Sequence, residues 1–450
     1  MNDIRTETSP HAIPPTILVI VGITGDLSKR KLLPAIEKLV AAGAAPDKLK
    51  IVGITRRDVS AKQVLQALPD ELPHGFLTQN MSMFQMDLSV SADYKKLDAY
   101  LHELEIGLGE GVQRLFYLSV PPQISQPIVK LLGKNGFADK PGTKLLLEKP
   151  FGTDLETARE LIEQTKQHFA EEQVYRIDHY LAKDMAQNMI VFREGNALLA
   201  HTWNNEFIER IDIVASEKIG IEGRAAFYEQ TGALRDLVQS HLLQLAALTL
   251  MHPSVTRNLR NICQCRIDAL RQLHIDESVP FTRAQYSSYA DEVKNPGSLT
   301  ETFADITLKS TDPAWQGVPI RIVTGKALDK KATEIKITYK KINEYESNEL
   351  LIRFQPNEGI ELRLWTKVPG YEWKVENHSL ELDFQETFNT STEAYEQVLL
   401  DALKSDQSLF TTSEEVIESW RILAPVQHAW SMSPTISTYK PGSNYDHIAG

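Results

Sequence analysis

The chain has 450 residues, of which 42% are hydrophobic, and a formal net charge of −12. This length and hydrophobic content can bury two substantial domains, while the negative charge argues against general nucleic-acid binding. No apolar run is long enough to span a bilayer, and residues 1–15 lack the basic and apolar regions of a secretion signal, so we expect a cytoplasmic protein without membrane contact.

The first predicted element is a strand over residues 17–21, which ends at a glycine turn and leads into a helix. In a dinucleotide-binding unit, such glycines let the backbone approach the pyrophosphate, which then lies at the N-terminus of the helix. Only Gly22 and Gly25 are present, spaced GxxG, so the GxGxxG fingerprint is not met and the turn alone is a weak signal.

A second apolar strand, residues 49–55, ends at Arg56 and Arg57. Proteins that prefer NAD usually have an acidic residue here to bind the ribose 2′-OH, whereas a guanidinium favours the 2′-phosphate of NADP. The position therefore indicates NADP, with an exposed loop arginine as the alternative.

Two further apolar segments, residues 115–120 and 144–152, continue the alternation of strands and helices. Parallel strands joined by crossover helices explain this pattern. Ligands bind such sheets at the carboxyl ends of the strands, which here carry Gly22, Arg56, Pro121 and Lys149.

Residues 176–184 bring together a carboxylate, an imidazole, a phenol and cationic side chains. If a helix begins near Asp178, His179 and Lys183 lie four residues apart on one face, and their N–H groups can converge on one anion. The segment therefore predicts a phosphate clamp. A solvated charged surface is the alternative.

Residues 232–248 are strongly helical in character and contain His241. A lone histidine among leucines is more often a buried core residue than a catalyst. Asp236 lies five residues earlier, roughly 140° around a regular helix. Both side chains could then touch one ligand only if it lay near the N-terminal end of the helix.

The chain has two cysteines, Cys263 and Cys265. They are too close together for a comfortable disulfide and too few for a zinc site, so we expect no metal and a reducing environment.

Runs with period-two alternation, at residues 320–323, 334–339 and 361–365, predict half-buried antiparallel strands. We therefore expect an α/β plus α+β protein. Residues 16–178 would form a Rossmann-like, doubly wound parallel sheet that binds a dinucleotide. Residues 179–435 would form a second domain with a large, mostly antiparallel sheet packed on helices. Residues 1–15 would be a flexible N-terminus and residues 436–450 a loose tail.

Seven motifs occur in a characteristic order between about residues 17 and 370: GITGDL at 22–27, EKPFG at 148–152, RIDHYL at 176–181, IEGR at 221–224, RDLVQSHLLQ at 235–244, TGKAL at 324–328 and QPNEG at 355–359. With them the chain resembles the glucose-6-phosphate dehydrogenase family. The resemblance implies oxidation of β-D-glucose 6-phosphate at C1 to 6-phosphoglucono-1,5-lactone. It also implies hydride transfer to NADP, with NAD as a possible second coenzyme, and a homodimer or a dimer of dimers.

The resemblance also implies roles for individual residues. His241 matches the family's base and Asp178 its carboxylate partner. The implied substrate ligands are Lys149, His179, Tyr180, Lys183, Glu217, Asp236, Lys326, Lys331 and Gln355. The implied coenzyme ligands are Gly22, Thr24, Gly25, Asp26, Leu27, Lys31, Arg56, Asp87, Leu88 and Lys149. The Lys149-Pro150 bond would be cis.

The sequence departs from the family at Ala182 and Asp184, where glycine and glutamate are usual, and this affects the phosphate loop. Two other functions remain open. One is a related oxidoreductase acting on an unphosphorylated aldose, which would not need His179 and Lys183. The other is a catalytically silent NADP-binding regulator, which a missing base or a broken phosphate loop would indicate.

Overall fold

The computed structural model describes residues 13–68, 74–252, 261–388 and 392–448, which form two compact units. The first unit comprises Met1–Phe151, Arg159–His179 and Glu393–Ser413, as far as these are described; the second comprises Gly152–Ala158, Tyr180–Thr392 and Glu414–Gly450. Of the N-terminus expected to be flexible, residues 1–12 lie outside the described residues.

The strands are β1 (Thr16–Val21), β2 (Leu49–Thr55), β3 (Met81–Gln85), β4 (Gln113–Leu118), β5 (Thr143–Leu147), β6 (Val174–Arg176), β7 (Ile208–Ser216), β8 (Leu273–Ile275), β9 (Thr282–Tyr286), β10 (Phe303–Ser310), β11 (Ile320–Gly325), β12 (Ala332–Tyr339), β13 (Glu349–Gln355), β14 (Gly359–Lys367), β15 (Val375–Asp383) and β16 (Ser437–Tyr439).

The α-helices are α1 (Leu33–Ala41), α2 (Ala61–Leu65), α3 (Gly75–Asn80), α4 (Ser91–Leu108), α5 (Pro122–Lys134), α6 (Leu155–Lys166), α7 (Asp184–Gly195), α8 (Ala197–Thr202), α9 (Ala225–Ala233), α10 (Leu243–Leu250), α11 (Ile262–Gln272), α12 (Tyr289–Glu292), α13 (Phe384–Phe388), α14 (Ala394–Lys404) and α15 (Ser413–Met432). Ser28–Leu32 and Leu234–Leu242 are π-helical, and Glu171–Gln173 and Tyr445–His447 are short 3₁₀ turns. None of these helices is long and apolar enough to cross a lipid bilayer, as far as the described residues go.

The sheet of the first unit is parallel, with described strands in the order β3-β2-β1-β4-β5-β6. Every residue of β1 and β4 is buried, because helices cover both faces of such a sheet and continuous apolar runs satisfy both. The order is that of a doubly wound dinucleotide fold, so the predicted fold class is confirmed for this unit. Its ligand crevice lies at the carboxyl ends of β1 and β4, where the strand order reverses.

The segment Glu393–Ser413 belongs to the first unit, whereas the expected boundaries assigned it to the second domain. Its helix α14 contacts α1, and ion pairs of 2.9 Å join Lys31 to Glu393 and Lys38 to Glu396. This return was not predictable from local sequence patterns, because the contacts join residues more than 350 positions apart.

The second unit is built on a large mixed sheet with described strands in the order β15-β14-β13-β12-β7-β11-β10-β9-β16, and β8 pairs with β10. Most neighbouring strands are antiparallel; β7 with β11 and β9 with β16 are parallel. Burial alternates along β13, as period-two patterning predicts. The three alternating runs lie in β11, β12 and β14, which confirms the predicted fold class for this unit too.

The expectation of a loose tail after residue 436 is wrong. Ser437–Tyr439 adds a parallel strand, β16, beside β9. Tyr439 is buried in an aromatic cluster with Tyr286 and Phe303, and its hydroxyl donates a 2.6 Å hydrogen bond to the carbonyl of Lys326. Burial of one tyrosine thus fixes a polar, proline-bearing segment that looks unstructured in the sequence.

Candidate active site

The turn after β1 is tightly packed against the end of β4. Gly22 has φ +88°, and a Cβ added there would lie 2.3 Å from the carbonyl oxygen of Ser119. The Gly25 N–H donates to the Gly22 carbonyl over 2.9 Å, and the Ser28 hydroxyl donates to the same carbonyl over 3.1 Å. The predicted strand, glycine turn and helix are therefore present despite the incomplete fingerprint, and the turn fits a dinucleotide.

The remaining residues of this turn, Thr24, Asp26 and Leu27, precede a π-helical turn, Ser28–Leu32, that continues into α1. The N–H groups at such a helix start favour a phosphate. Lys31, also expected at the coenzyme, instead forms the exposed ion pair with Glu393. It must exchange that partner to reach a phosphate.

Arg56 follows β2 and is exposed, which both the coenzyme prediction and the alternative of an exposed loop arginine allow. Asp87 and Leu88 follow β3, the neighbouring strand. Hydrogen bonds from Ser89 lower the pKa of Asp87, and the nearby charge of Arg56 lowers it further. These two expected coenzyme ligands therefore lie within electrostatic range of each other.

Glu148 and Lys149 follow β5, and Lys149-Pro150 is cis, as the resemblance implied. The Tyr117 hydroxyl donates a 2.5 Å hydrogen bond to Glu148, and the Tyr395 hydroxyl also hydrogen-bonds this carboxylate. Burial raises the pKa of the Glu148 carboxyl, although both phenols and the charge of Lys149 act against the rise. Glu148 thus joins two tyrosines to the end of β5.

Asp178 and His179 follow β6 at the end of the first unit. Asp178 is buried. The burial of Glu148 is the main cause of its raised pKa, and the negative charge of Asp178 raises that pKa further. The ring of His179 lies parallel to that of Tyr395, with 6.0 Å between centroids and 15° between planes.

The longest segment of the second unit begins at Tyr180, whose ring stacks on His241 with 4.1 Å between centroids and 16° between planes. Both side chains are buried. His241 is therefore a buried histidine, as the alternative held, but its neighbour is a predicted substrate ligand.

A cationic cluster, formed by Lys183 and Lys331 with the side chain of Gln355, lies beside the Tyr180 ring. The Lys183 ammonium lies 4.8 Å from the ring centroid and donates a 3.0 Å hydrogen bond to the Gln355 side-chain oxygen. The Gln355 amide in turn donates to Thr333 over 2.9 Å. Burial lowers the pKa of Lys183, and the charge of Lys331 lowers it further. Tyr180, Lys183, Lys331 and Gln355 are thus together, as expected.

The helix expected through His179 and Lys183 is wrong. Residues 179–182 form turns, Lys183 has the extended dihedrals φ −69° and ψ 143°, and α7 begins at Asp184. A carboxylate in the first helical turn is favoured by the helix dipole, which explains why the helix can begin at Asp184. Tertiary contacts, not helical spacing, therefore place Lys183.

A second polar cluster contains Glu217, Lys326 and Tyr228. Lys326 forms an ion pair with Glu217, and its ammonium lies 5.1 Å from the centroid of the Tyr228 ring. Burial raises the pKa of Tyr228, and the charges of Asp236, Glu301 and Glu217 add to the rise. Two predicted sugar ligands, Glu217 and Asp236, thus flank one buried phenol.

The expectation of a regular α-helix through His241 is also wrong. Leu234–Leu242 is π-helical, and this pattern pairs residues five apart. Asp236 and His241 therefore lie on successive turns of one side and not about 140° apart. The segment follows Gly232, which has φ +69°, and its first N–H, that of Leu234, donates over 2.9 Å to buried Glu301.

Comparison with known proteins finds relatives over most of the chain. The family models described as glucose-6-phosphate dehydrogenase, NAD binding domain, and glucose-6-phosphate dehydrogenase, C-terminal domain, match residues 19–188 and 190–448. The chain belongs to the glucose-6-phosphate dehydrogenase family.

Individual members of this family match nearly the whole chain. Glucose-6-phosphate 1-dehydrogenase of Chlamydia muridarum is 34% identical, over 96% of this chain and 94% of that protein. The enzyme of the same name from Bacillus subtilis is 35% identical, over 96% and 95%. A solved structure of glucose-6-phosphate dehydrogenase in complex with its substrate glucose-6-phosphate has a TM-score of 0.89 and 31% identity, over 96% and 95%. As a glucose-6-phosphate dehydrogenase family member, the chain is an oxidoreductase whose coenzyme is NADP.

Several side chains that contact the predicted site residues were missed from the sequence. Glu148 lies inside a family motif but was assigned no role. Tyr228, Thr333, Glu358 and Tyr395 contact the predicted residues or act on their charges. Glu358 lies in the QPNEG motif but was assigned no role; the others lie far along the chain from predicted residues that they contact, so no local pattern identified them.

Gly22→Ala should weaken NADP binding about ten- to hundredfold, because a strained left-handed residue costs about 1–3 kcal/mol and the new methyl group displaces the turn from β4. Fluorescence titration with NADPH measures the loss. Gly43→Ala is the matched control, since Gly43 has φ +66° but no atom within 4 Å of an added Cβ. Equal affinities in the two variants would show that the turn does not bind the coenzyme.

Proposed function

We propose that the chain oxidises the C1 hydroxyl of β-D-glucose 6-phosphate to give 6-phosphoglucono-1,5-lactone, the first step of the oxidative pentose phosphate pathway. The observation that carries this proposal is the stack of Tyr180 on His241, because it places a potential base beside the cationic cluster of Lys183, Lys331 and Gln355. A base and a phosphate site next to each other suit a phosphorylated sugar.

His241 is the proposed base. Removing hydride from C1 leaves positive charge on that carbon unless the C1 hydroxyl gives up its proton, and an imidazole is the ordinary acceptor near neutral pH. The parallel Tyr180 ring restricts rotation of the imidazole. Asp178 is proposed, from the family resemblance, as the carboxylate that orients the imidazole and stabilises its protonated form.

The phosphate is proposed to bind His179, Tyr180, Lys183, Lys331 and Gln355. Lys183 is held by a neutral amide and stacks on a neutral ring, so its charge remains available for an anion. Lys331 is close enough to Lys183 to lower its pKa, so the two ammonium groups repel each other. A dianionic phosphate between them would relieve that repulsion.

The sugar hydroxyls are proposed to bind Glu217, Asp236, Lys326 and Lys149. Lys326 already has a carboxylate partner in Glu217, so this pair can accept and donate hydrogen bonds without attracting a second anion. A site of this kind rejects sugars that lack the matching hydroxyl, because its buried polar groups would be left without partners.

Bound NADP supplies the hydride acceptor. The residues proposed to hold it are Gly22, Thr24, Gly25, Asp26, Leu27, Lys31, Arg56, Asp87, Leu88 and Lys149. The exposed guanidinium of Arg56 favours the 2′-phosphate, while the nearby charge of Asp87 reduces its local potential. Turnover with NAD as a second coenzyme is therefore compatible with the residues.

Lys183→Ala should raise the KM for glucose 6-phosphate about ten- to hundredfold, since a hydrogen bond to a charged group contributes about 1.5–3 kcal/mol. Turnover of free glucose should be unchanged. Coenzyme reduction at the nicotinamide absorbance band, with NADP and NAD in parallel, measures both sugars.

Lys330→Ala is the control, because Lys330 is exposed and pairs with Glu334. Equal losses with both sugars would remove Lys183 from phosphate binding. Reduction with glucose alone would favour an unphosphorylated aldose as substrate, and no reduction with either sugar would favour the silent binder.

The affinity for glucose 6-phosphate should also fall as pH rises, because burial lowers the pKa of Lys183 and the ammonium loses its charge above that value. Glu358 opposes this shift by raising the pKa. In Glu358→Gln the decline in kcat/KM should therefore begin at lower pH than in the parent. Glu334→Gln should leave the profile unchanged; identical profiles in Glu358→Gln and the parent would contradict the assignment.

We also propose that the chain is a homo-oligomer, a dimer or a tetramer, and that it is cytoplasmic, where two cysteines that are not joined by a disulfide suit a reducing environment. Strand β15 lies at the edge of the large sheet and exposes Leu380 and Leu382, and such an edge favours pairing with a second copy. Leu380→Arg should lower the mass measured by light scattering to that of one 50.7 kDa chain. An unchanged multimer would exclude this strand from the interface, and a monomeric parent would contradict the oligomer.

A further inference from the structure

Tyr395 lies at the start of α14, between two residues that form ion pairs within the first unit. Glu393 pairs with Lys31 over 2.9 Å, and Glu396 pairs with Lys38 over the same distance. Both pairs are exposed and contribute little stability. The contacts that hold the Tyr395 side chain are therefore its own.

The Tyr395 side chain makes two different contacts. Its hydroxyl hydrogen-bonds Glu148, which also accepts the 2.5 Å bond from Tyr117. Its ring stacks on His179, with 6.0 Å between centroids and 15° between planes. A phenol anchored at its hydroxyl presents a rigid ring face, because it has few remaining ways to rotate.

We propose that Tyr395 is a positioning residue for His179: anchored by its hydroxyl on Glu148, its ring holds the imidazole in the orientation that receives the phosphate of the substrate. This proposal rests on the proposed role of His179 in phosphate binding. Neither Tyr395 nor Glu148 carries a functional assignment from the sequence motifs. Tyr117 and Tyr395 both hydrogen-bond Glu148, and the Tyr395 ring contacts His179.

The proposal separates two properties of Tyr395. Tyr395→Leu removes both the ring and the hydroxyl, so His179 should lose its orientation. Tyr395→Phe keeps the ring and removes only the anchor on Glu148. Tyr117→Phe removes the other hydrogen bond to Glu148 without touching His179, and it is therefore the matched control.

Steady-state kinetics with purified full-length variants is the first readout. In Tyr395→Leu the KM for glucose 6-phosphate should rise about tenfold, the size expected when one well-oriented hydrogen bond is lost, while kcat and the KM for NADP change less than twofold. Tyr395→Phe should show a smaller rise in the same KM, because the ring remains but its anchor on Glu148 is lost, and Tyr117→Phe should match the parent. Unchanged substrate KM in Tyr395→Leu, or equal losses in kcat and both KM values, would overturn the proposal.

A second readout does not require activity. In protein with ¹³C-labelled histidine, the His179 ring signal is assigned from its absence in His179→Gln, and its relaxation reports ring mobility. The His179 ring should be rigid in the parent, more mobile in Tyr395→Phe, which lacks the anchor on Glu148, and most mobile in Tyr395→Leu. If the parent fails to turn over glucose 6-phosphate but shows this difference, the proposed function fails and the positioning stands; a ring equally rigid in all variants overturns the positioning.

Discussion

The chemistry proposed for the second unit depends on one departure from regular helix geometry. Leu234–Leu242 closes its turns over five residues, and this spacing brings Asp236 and His241 to the same side. Gly232, with its positive φ, allows the chain to enter this turn, and Glu301 accepts the N–H of Leu234. The fully buried helix α10 then anchors the other end. A regular α-helix through the same residues would separate the proposed base from the proposed sugar ligand.

Two lysines of the second unit, Lys326 and Lys183, differ in the charge of the groups that contact them. Lys326 is buried with a carboxylate partner, so its charge is balanced before any ligand arrives. Lys183 hydrogen-bonds a neutral amide and lies over an aromatic ring, and the charge of Glu358 offsets its own only in part, so the remainder is available for a ligand. In a chain of net charge −12, binding an anionic sugar phosphate requires such unbalanced cations to be concentrated in one place. The contrast supports, on electrostatic grounds, the proposal that Lys183 binds the anion and Lys326 the hydroxyls.

The parallel sheet was predictable because its strands are buried on both faces, and only continuous apolar runs such as those of β1 and β4 satisfy that environment. The alternating strands of the second unit, such as β12, were predictable because one face is more buried than the other, so apolar and polar residues alternate along them. The local backbone geometry at the site was harder to predict from the sequence. Spacing suggested a helix through His179 and Lys183, but the extended backbone of Lys183 ends that pattern one residue before α7 begins.

The sequence by itself determined the two classes of sheet, the glycine turn, the position of Arg56 and the motif residues that identify the family, because each depends on residues that are neighbours in the chain. Only the tertiary structure decided that Tyr180 stacks on His241, that Gln355 holds Lys183 and that Tyr395 returns to stack on His179. These contacts join residues separated by tens to hundreds of positions. They form only when burial of the two cores has brought distant segments together, and no local periodicity encodes such pairings.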